Sequence, residues 1–203
     1  YTLMDAIVNS FTGNIRFSVT PPTTSSYFND MSSYRWAVPA VDFFRYYGAT
    51  NGSSLTGFGP GAAMRRGDFI LLLSRAFGFP SAGMASFSDV PQDKYYAAAI
   101  ASAKALGIIS GDAKDSFRPD VAITREDAGV YLYRALLRDG AVTPTSGDYL
   151  LQFPDGGDTA PYARDAMNAL VRDGVFQGYV VSLLPKRALN RAETITILYR
   201  ALT

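Results

Sequence analysis

The chain of 203 residues has no cysteine and no histidine. Without cysteine there is no disulfide, no thiolate nucleophile and almost none of the donor sets that build structural zinc sites. That absence leaves the compartment open, since reducing and cysteine-poor extracellular settings both accommodate it. Without histidine the commonest general base and the commonest metal ligand are missing. Any catalysis would fall to Asp, Glu, Lys, Tyr or Ser, so the chain is expected not to be an enzyme and to need no cofactor. Charge of one sign is also lacking: 19 Lys and Arg face 18 Asp and Glu, a net charge of +1. Nucleic-acid binders usually carry a strong basic bias, so no nucleic-acid partner is expected. No run of 18 apolar residues occurs, so no membrane insertion is expected. Tyr1 is not a start Met and no signal peptide follows it, which suggests a piece of a longer chain.

What is present is an ordinary globular composition, 48% hydrophobic and 18% charged, and a repeat. Three stretches align on Pro60, Pro119 and Pro185, spaced by 59 and then 66 residues: GFGPGAAMRRGDFILLLSRAF, SFRPDVAITREDAGVYLYRAL and SLLPKRALNRAETITILYRAL. The same spacing relates Arg66, Arg125 and Arg191, and likewise Arg75, Arg134 and Arg200. Upstream it relates Phe28, Phe87 and Phe153, and Asp30, Asp89 and Asp155. A fixed period of this kind points to repeat architecture before any other fold.

Each copy opens on Phe-x-Asp and then carries a first helical segment that stops at a glycine: Gly48, Gly107 or Gly174. In the first copy Pro39 requires that helix to start late or kink. A loop and the repeat's proline follow, then a second helix. Its apolar stripe falls at i, i+3, i+4, i+7 and i+8: Phe69, Leu72, Leu73, Ala76 and Phe77; Ala128, Tyr131, Leu132, Ala135 and Leu136; Thr194, Ile197, Leu198, Ala201 and Leu202. One such stripe needs a partner surface, and one helix pair cannot bury it alone, so the copies should pack together. The segments between copies are rich in Gly, Pro and Ser. Residues 1–26 fit none of this. Within them TGNIRFSVTPPTTSS alternates like a short strand and breaks at two prolines, as a connector or the end of a preceding module would.

Phe-x-Asp-Val, a helix ending Leu-Gly-Ile-Ile-x-Gly, then Phe-x-Pro, Ile-Thr-Arg-Glu-Asp and Leu-Tyr-Arg-Ala together resemble the S-layer homology module. The second copy matches over its whole length, and the third matches well, with Asn-Arg-Ala-Glu at 190–193. The first copy diverges. The resemblance implies a mainly all-α fold: three tandem helix-loop-helix repeats, at 27–80, 86–138 and 152–203, around a pseudo-threefold axis with a central three-helix bundle. It implies non-covalent anchoring of an exported protein to the bacterial cell wall, with extracellular, cell-surface localisation. The expected partner is a cell wall polysaccharide, a secondary cell wall polymer that is often a pyruvylated glycan, held in grooves between repeats. The chain would then be covalently joined to a larger surface protein upstream. A protein–protein assembly module within a surface layer or exported enzyme complex is the alternative.

The residues at the second-helix starts carry the binding chemistry. Thr124 with Asp127, and Asn190 with Glu193, have capping-box spacing. Arg125 and Arg191 then occupy the first helical position, where a cation opposes the helix dipole by roughly 0.3–1 kcal/mol. A guanidinium beside a helix N-terminus suits the carboxylate of a pyruvyl group; the same arginine could equally pair with a neighbouring Asp or Glu. The resemblance favours ligand binding for Arg125 and Arg191. Arg66 follows no cap residue and precedes Gly67, so its groove is expected to be weaker. Arg75, Arg134 and Arg200, in the last turn, favour the dipole and read as structural. Sugar rings stack on aromatic faces, and Trp36, Tyr95, Tyr96 and Tyr162 lie near the first-helix starts; Trp36, Tyr96 and Tyr162 are the candidate platforms, with core filling the other role open to these aromatics. Gly52, Gly111 and Gly178 in the mid-copy loop either let a ligand approach the backbone or permit a turn. Asp30, Asp89 and Asp155 read as helix-entry caps or turn formers. The Asp112–Asp115 loop lacks the ligand pattern of an EF-hand, so no metal is expected, and Gly57–Gly61 lacks the Lys-Ser/Thr of a phosphate loop.

Overall fold

The computed structural model describes residues 22–83, 87–112 and 114–203. The strand-like stretch from Thr12 and most of the 1–26 connector lie outside them, as does part of the first inter-copy segment. Among the described residues the architecture is helical: α1 (Val38–Tyr46), α2 (Arg66–Phe77), α3 (Ala97–Ala105), α4 (Arg125–Arg138), α5 (Arg164–Arg172) and α6 (Arg191–Leu202). Single 3-10 turns at Arg35–Ala37 and Pro161–Ala163 lead into α1 and α5. Pro39 sits at the second residue of α1, where its missing N–H costs nothing, so the helix starts late. Gly48 and Gly174, just past the ends of α1 and α5, take positive φ, which stops each helix with no Cβ clash.

The stripes of α2, α4 and α6 are buried. Phe69, Leu73, Ala128, Leu132, Thr194 and Leu198 are fully enclosed; each large aliphatic or aromatic side chain buried this way contributes about 1.5–3 kcal/mol. The helices do not pair within a copy. Instead α2 packs on α3, α4 on α5, and α6 back on α1, with a further contact between α2 and α4. Each copy thus completes its neighbour's core, and the last helix closes onto the first.

The loops before α2, α4 and α6 close the same circuit through the backbone. Met64 N–H donates to the Leu189 carbonyl (2.9 Å), Leu189 N–H to Ile123 (3.0 Å) and Ile123 N–H to Met64 (2.8 Å). These residues share the repeat spacing and are all buried. An interior ring of this kind leaves none of the six groups unsatisfied. At the near end of the described chain, Ser25 Oγ and Ser26 N–H both donate to the Asp42 carboxylate on α1.

Candidate functional site

The repeat's prolines explain the second-helix starts. The first two N–H groups of α2 donate to the carbonyls of Val121 and Pro119; those of α4 donate to Arg187 and Pro185; those of α6 donate to Ala62 and Pro60. Each helix start therefore docks on the next copy's loop. The third N–H of α4 is capped by Thr124 Oγ1, and that of α6 by Asn190 in a complete capping box; α2 has no side-chain cap. The helix-start donors expected to help hold an anion are already used, so any anion site must be made by side chains.

The arginine at each helix start is fixed by the same loop. Its Nε donates to a carbonyl, Phe117 for Arg66 (2.9 Å), Leu183 for Arg125 (2.8 Å) and Phe58 for Arg191 (2.9 Å), and its guanidinium lies over Phe117, Phe176 or Phe58 respectively. The loop in turn is held by the aspartate of Phe-x-Asp. Asp30 accepts from the N–H groups of Phe58 and Gly59, Asp89 from Phe117, Arg118 and Ser116 Oγ, and Asp155 from Leu183 and Leu184. These aspartates are loop ties rather than helix caps. Burial works against ionisation of Asp89 and Asp155, but the donated hydrogen bonds outweigh it and hold both carboxyls below their usual range.

A cleft opens at each junction. Cleft I, about 320 Å³, is walled by Gly52, Asp68, Leu72, Arg75, Tyr95 and Arg191 among others. Cleft II, about 300 Å³, has Gly111, Asp127, Tyr131, Arg134, Tyr162 and Arg66 in the corresponding places. Cleft III, about 210 Å³, has Gly178, Glu193, Ile197, Arg200, Trp36 and Arg125. Arg75 and Arg200 lie in the last turns of α2 and α6, while Arg134 lies a turn before the end of α4, which runs on to Arg138; all three reach the clefts. Arg75 and Arg134 also donate to the carbonyls of Ala49 and Ile108, while burial pulls the Arg200 guanidinium below its usual pKa.

The aromatic set needs one correction. Tyr96 is buried, at 2% exposure, and its ring packs beside Gly67, where an added Cβ would lie 3.0 Å away. The residue at the cleft is Tyr95, 64% exposed, matching Trp36 and Tyr162. In the third copy one residue is inserted before α5 and one removed from the following loop, so the repeat spacing pairs Trp36 with Tyr95 but Tyr162 with the buried Tyr96. The three glycines also have a specific cause: a Cβ on Gly52, Gly111 or Gly178 would lie 2.5–2.8 Å from the ring of Phe28, Phe87 or Phe153. The phenylalanine of Phe-x-Asp packs against each glycine. In the neighbouring loop Asp112 accepts from the N–H groups of Lys114 and Ser116, which forms a local turn.

Each cleft wall carries one more arginine than carboxylate, so lining charge does not separate the three. Hydrogen-bond donors do. Every nitrogen of Arg66 has a partner: besides Nε, Nη1 meets Asp127 at 2.8 Å and Nη2 meets the Tyr131 hydroxyl. Arg125 is 5% exposed, and Nη2 donates to the Gln177 carbonyl (3.0 Å); burial pulls its pKa down to about 10 despite the nearby Glu193 charge. Arg191 differs. Burial lowers its pKa too, yet among the described residues neither Nη has a hydrogen-bond partner and no carboxylate lies within ion-pair distance. The acid beside it, Asp68, instead accepts from the Tyr95 hydroxyl, whose own pKa is pushed up to about 12 by burial and by that carboxylate. On the cleft III wall, Thr196 Oγ1 is buried with no hydrogen-bond partner among the described residues. The sequence reading places Tyr131 only in an apolar stripe and Asp127 only as a capping residue or arginine partner; the Leu72–Tyr131–Ile197 correspondence was the available signal for Tyr131.

The fold and clefts define a tandem-repeat module with side-chain-lined grooves at its junctions. The family model of the S-layer homology domain matches residues 86–128 and 152–195, and the chain carries S-layer homology modules. It is 29% identical to the "Surface-layer 125 kDa protein" of Lysinibacillus sphaericus over 74% of this chain and 12% of that one. It is 35% identical to the "S-layer-related protein" of Niallia circulans over 53% and 6%, and 27% identical to "Exoglucanase XynX" of Acetivibrio thermocellus over 85% and 16%. The chain thus spans only 6–16% of these relatives' lengths. S-layer homology modules are non-catalytic anchoring units of larger surface proteins and enzymes, and they bind cell wall. This chain is a cell-surface anchoring region.

Proposed function

We propose that the chain anchors a larger surface protein by holding an acidic wall glycan, a secondary cell wall polymer carrying a pyruvyl ketal. The ligand lies in clefts between three modules, 27–80, 86–138 and 152–203, set about a pseudo-threefold axis with α2, α4 and α6 at the centre. The observation that carries this reading is Arg191. Its guanidinium is fixed through Nε, stacked on Phe58, and offers two Nη groups to cleft I with no acceptor among the described residues. A guanidinium so placed matches a carboxylate through two parallel hydrogen bonds. Tyr95 and Gly52 flank the same space, an exposed ring and a bare backbone against which a sugar can lie. Cleft III complements it: exposed Trp36 supplies a stacking face.

The test is co-sedimentation with purified sacculi before and after chemical removal of the secondary polymer. Binding should vanish with the polymer. Retention on stripped sacculi would overturn the glycan assignment and indicate peptidoglycan or a wall protein as the partner.

A further inference from the structure

We infer that cleft II is closed by the protein's own carboxylate, so that this chain holds its acidic ligand in cleft I and not at the corresponding place in cleft II. The inference rests on the proposed reading of Arg191 as the anion-binding residue.

Two differences between the copies combine at one point. At the third helical position, Asp68 accepts from Tyr95 and Glu193 completes the α6 capping box and pairs with Arg187. Asp127 makes no such return bond to its own cap residue. It crosses to the neighbouring copy, taking Nη1 of Arg66 at 2.8 Å and the Tyr162 hydroxyl at 2.8 Å. One turn later, clefts I and III present Leu72 and Ile197, whereas cleft II presents Tyr131, whose hydroxyl accepts from Arg66 Nη2. The two groups that Arg191 leaves free are therefore both occupied on Arg66, one of them by a carboxylate. Asp127 stands where a ligand's acid would go. An incoming anion would have to displace a charge-assisted bond already formed and would meet the Asp127 charge at close range.

The experiment opens the cleft. Calorimetric titration with a synthetic pyruvyl-ketal disaccharide is compared for the parent, Arg66→Ala, Arg191→Ala, and the double variant Asp127→Asn/Tyr131→Leu, whose leucine copies Leu72. Arg66→Ala should leave the parent's number of sites unchanged. The double variant should gain one site, and adding Arg66→Ala to it should remove that site again. A folded double variant with the parent stoichiometry would overturn the inference, as would loss of a site in Arg66→Ala alone. Should the double variant not fold, Asp127→Asn alone is read in the same way. Failure of the Arg191 reading is distinguishable: Arg191→Ala would then bind as the parent does, whatever the cleft II variants show.

Discussion

Replacing Arg191 by alanine removes two things that can be measured apart. The first is internal. The bond from Nε to the Phe58 carbonyl and the stacking on the Phe58 ring disappear. A hydrogen bond from a charged donor contributes about 1.5–3 kcal/mol and a half-exposed cation–π contact about 0.5–1 kcal/mol. Against these stands relief of a cation from the helix N-terminus, roughly 0.3–1 kcal/mol. The net loss is about 2 kcal/mol, which for a domain of this length lowers Tm by roughly 4–8 °C. The second loss is at the cleft. Two charge-assisted bonds to a ligand carboxylate, discounted for the open side of the cleft, amount to about 3–4 kcal/mol. At 1.4 kcal/mol per decade this weakens binding roughly 100- to 1,000-fold. Arg191→Lys keeps the charge without the fork and should fall between, at about tenfold. Thermal denaturation followed by circular dichroism reads the first loss, and a binding isotherm on polymer-bearing sacculi, taken well below Tm, reads the second. If Tm falls as expected while the isotherm is unmoved, the arginine is only a strut and the ligand assignment is wrong.

Other outcomes follow from the same geometry. Gly52→Ala should cost about 2–4 kcal/mol in urea unfolding, because φ is +80° and the new Cβ would lie 2.5 Å from the Phe28 ring and 2.6 Å from the Gly57 carbonyl. Gly157→Ala, with nothing within 4 Å, should stay within about 0.5 kcal/mol. The carboxyls of Asp89 and Asp155 are held below their usual range when folded, so the unfolded chain binds protons first. Their contribution is complete above about pH 5 and is lost as pH falls through about 4 toward the folded values. Asp89→Asn should flatten the acid limb of a Tm-against-pH curve, and an unaltered limb would refute this. Arg125→Met should lower stability by about 2–4 kcal/mol by stranding the carbonyls of Leu183 and Gln177; an unchanged urea midpoint would show those bonds to be unimportant.

The clefts were partly legible. The helix-start arginines and the mid-copy glycines lie where repeat spacing predicts, and Arg66 emerges as the odd member, though for another reason than the missing cap. Tyr96 was misplaced because the third copy has a one-residue insertion before α5 and a compensating deletion after it, so that Tyr162 falls on Tyr96 although Trp36 falls on Tyr95. Spacing anchored on the second helices cannot register such a pair of changes. The glycines are explained by Phe28, Phe87 and Phe153, which lie 24 or 25 residues earlier, and no local pattern announces that contact.

The sequence by itself determined the helices, their buried stripes, their stops and the triplication, because periodicity and glycine stops act over a few neighbouring residues. Only the tertiary structure decided which helices pair and which arginine stays free. Helix pairing between copies depends on how the loops at Pro60, Pro119 and Pro185 dock on the next helix start. The state of each guanidinium depends on whether a carboxylate 61 residues away, Asp127 for Arg66, reaches it across the junction. Arg191, identical in type and position, meets no such acid among the described residues: Asp68 accepts from Tyr95, as Asp127 does from Tyr162, but does not also reach the arginine.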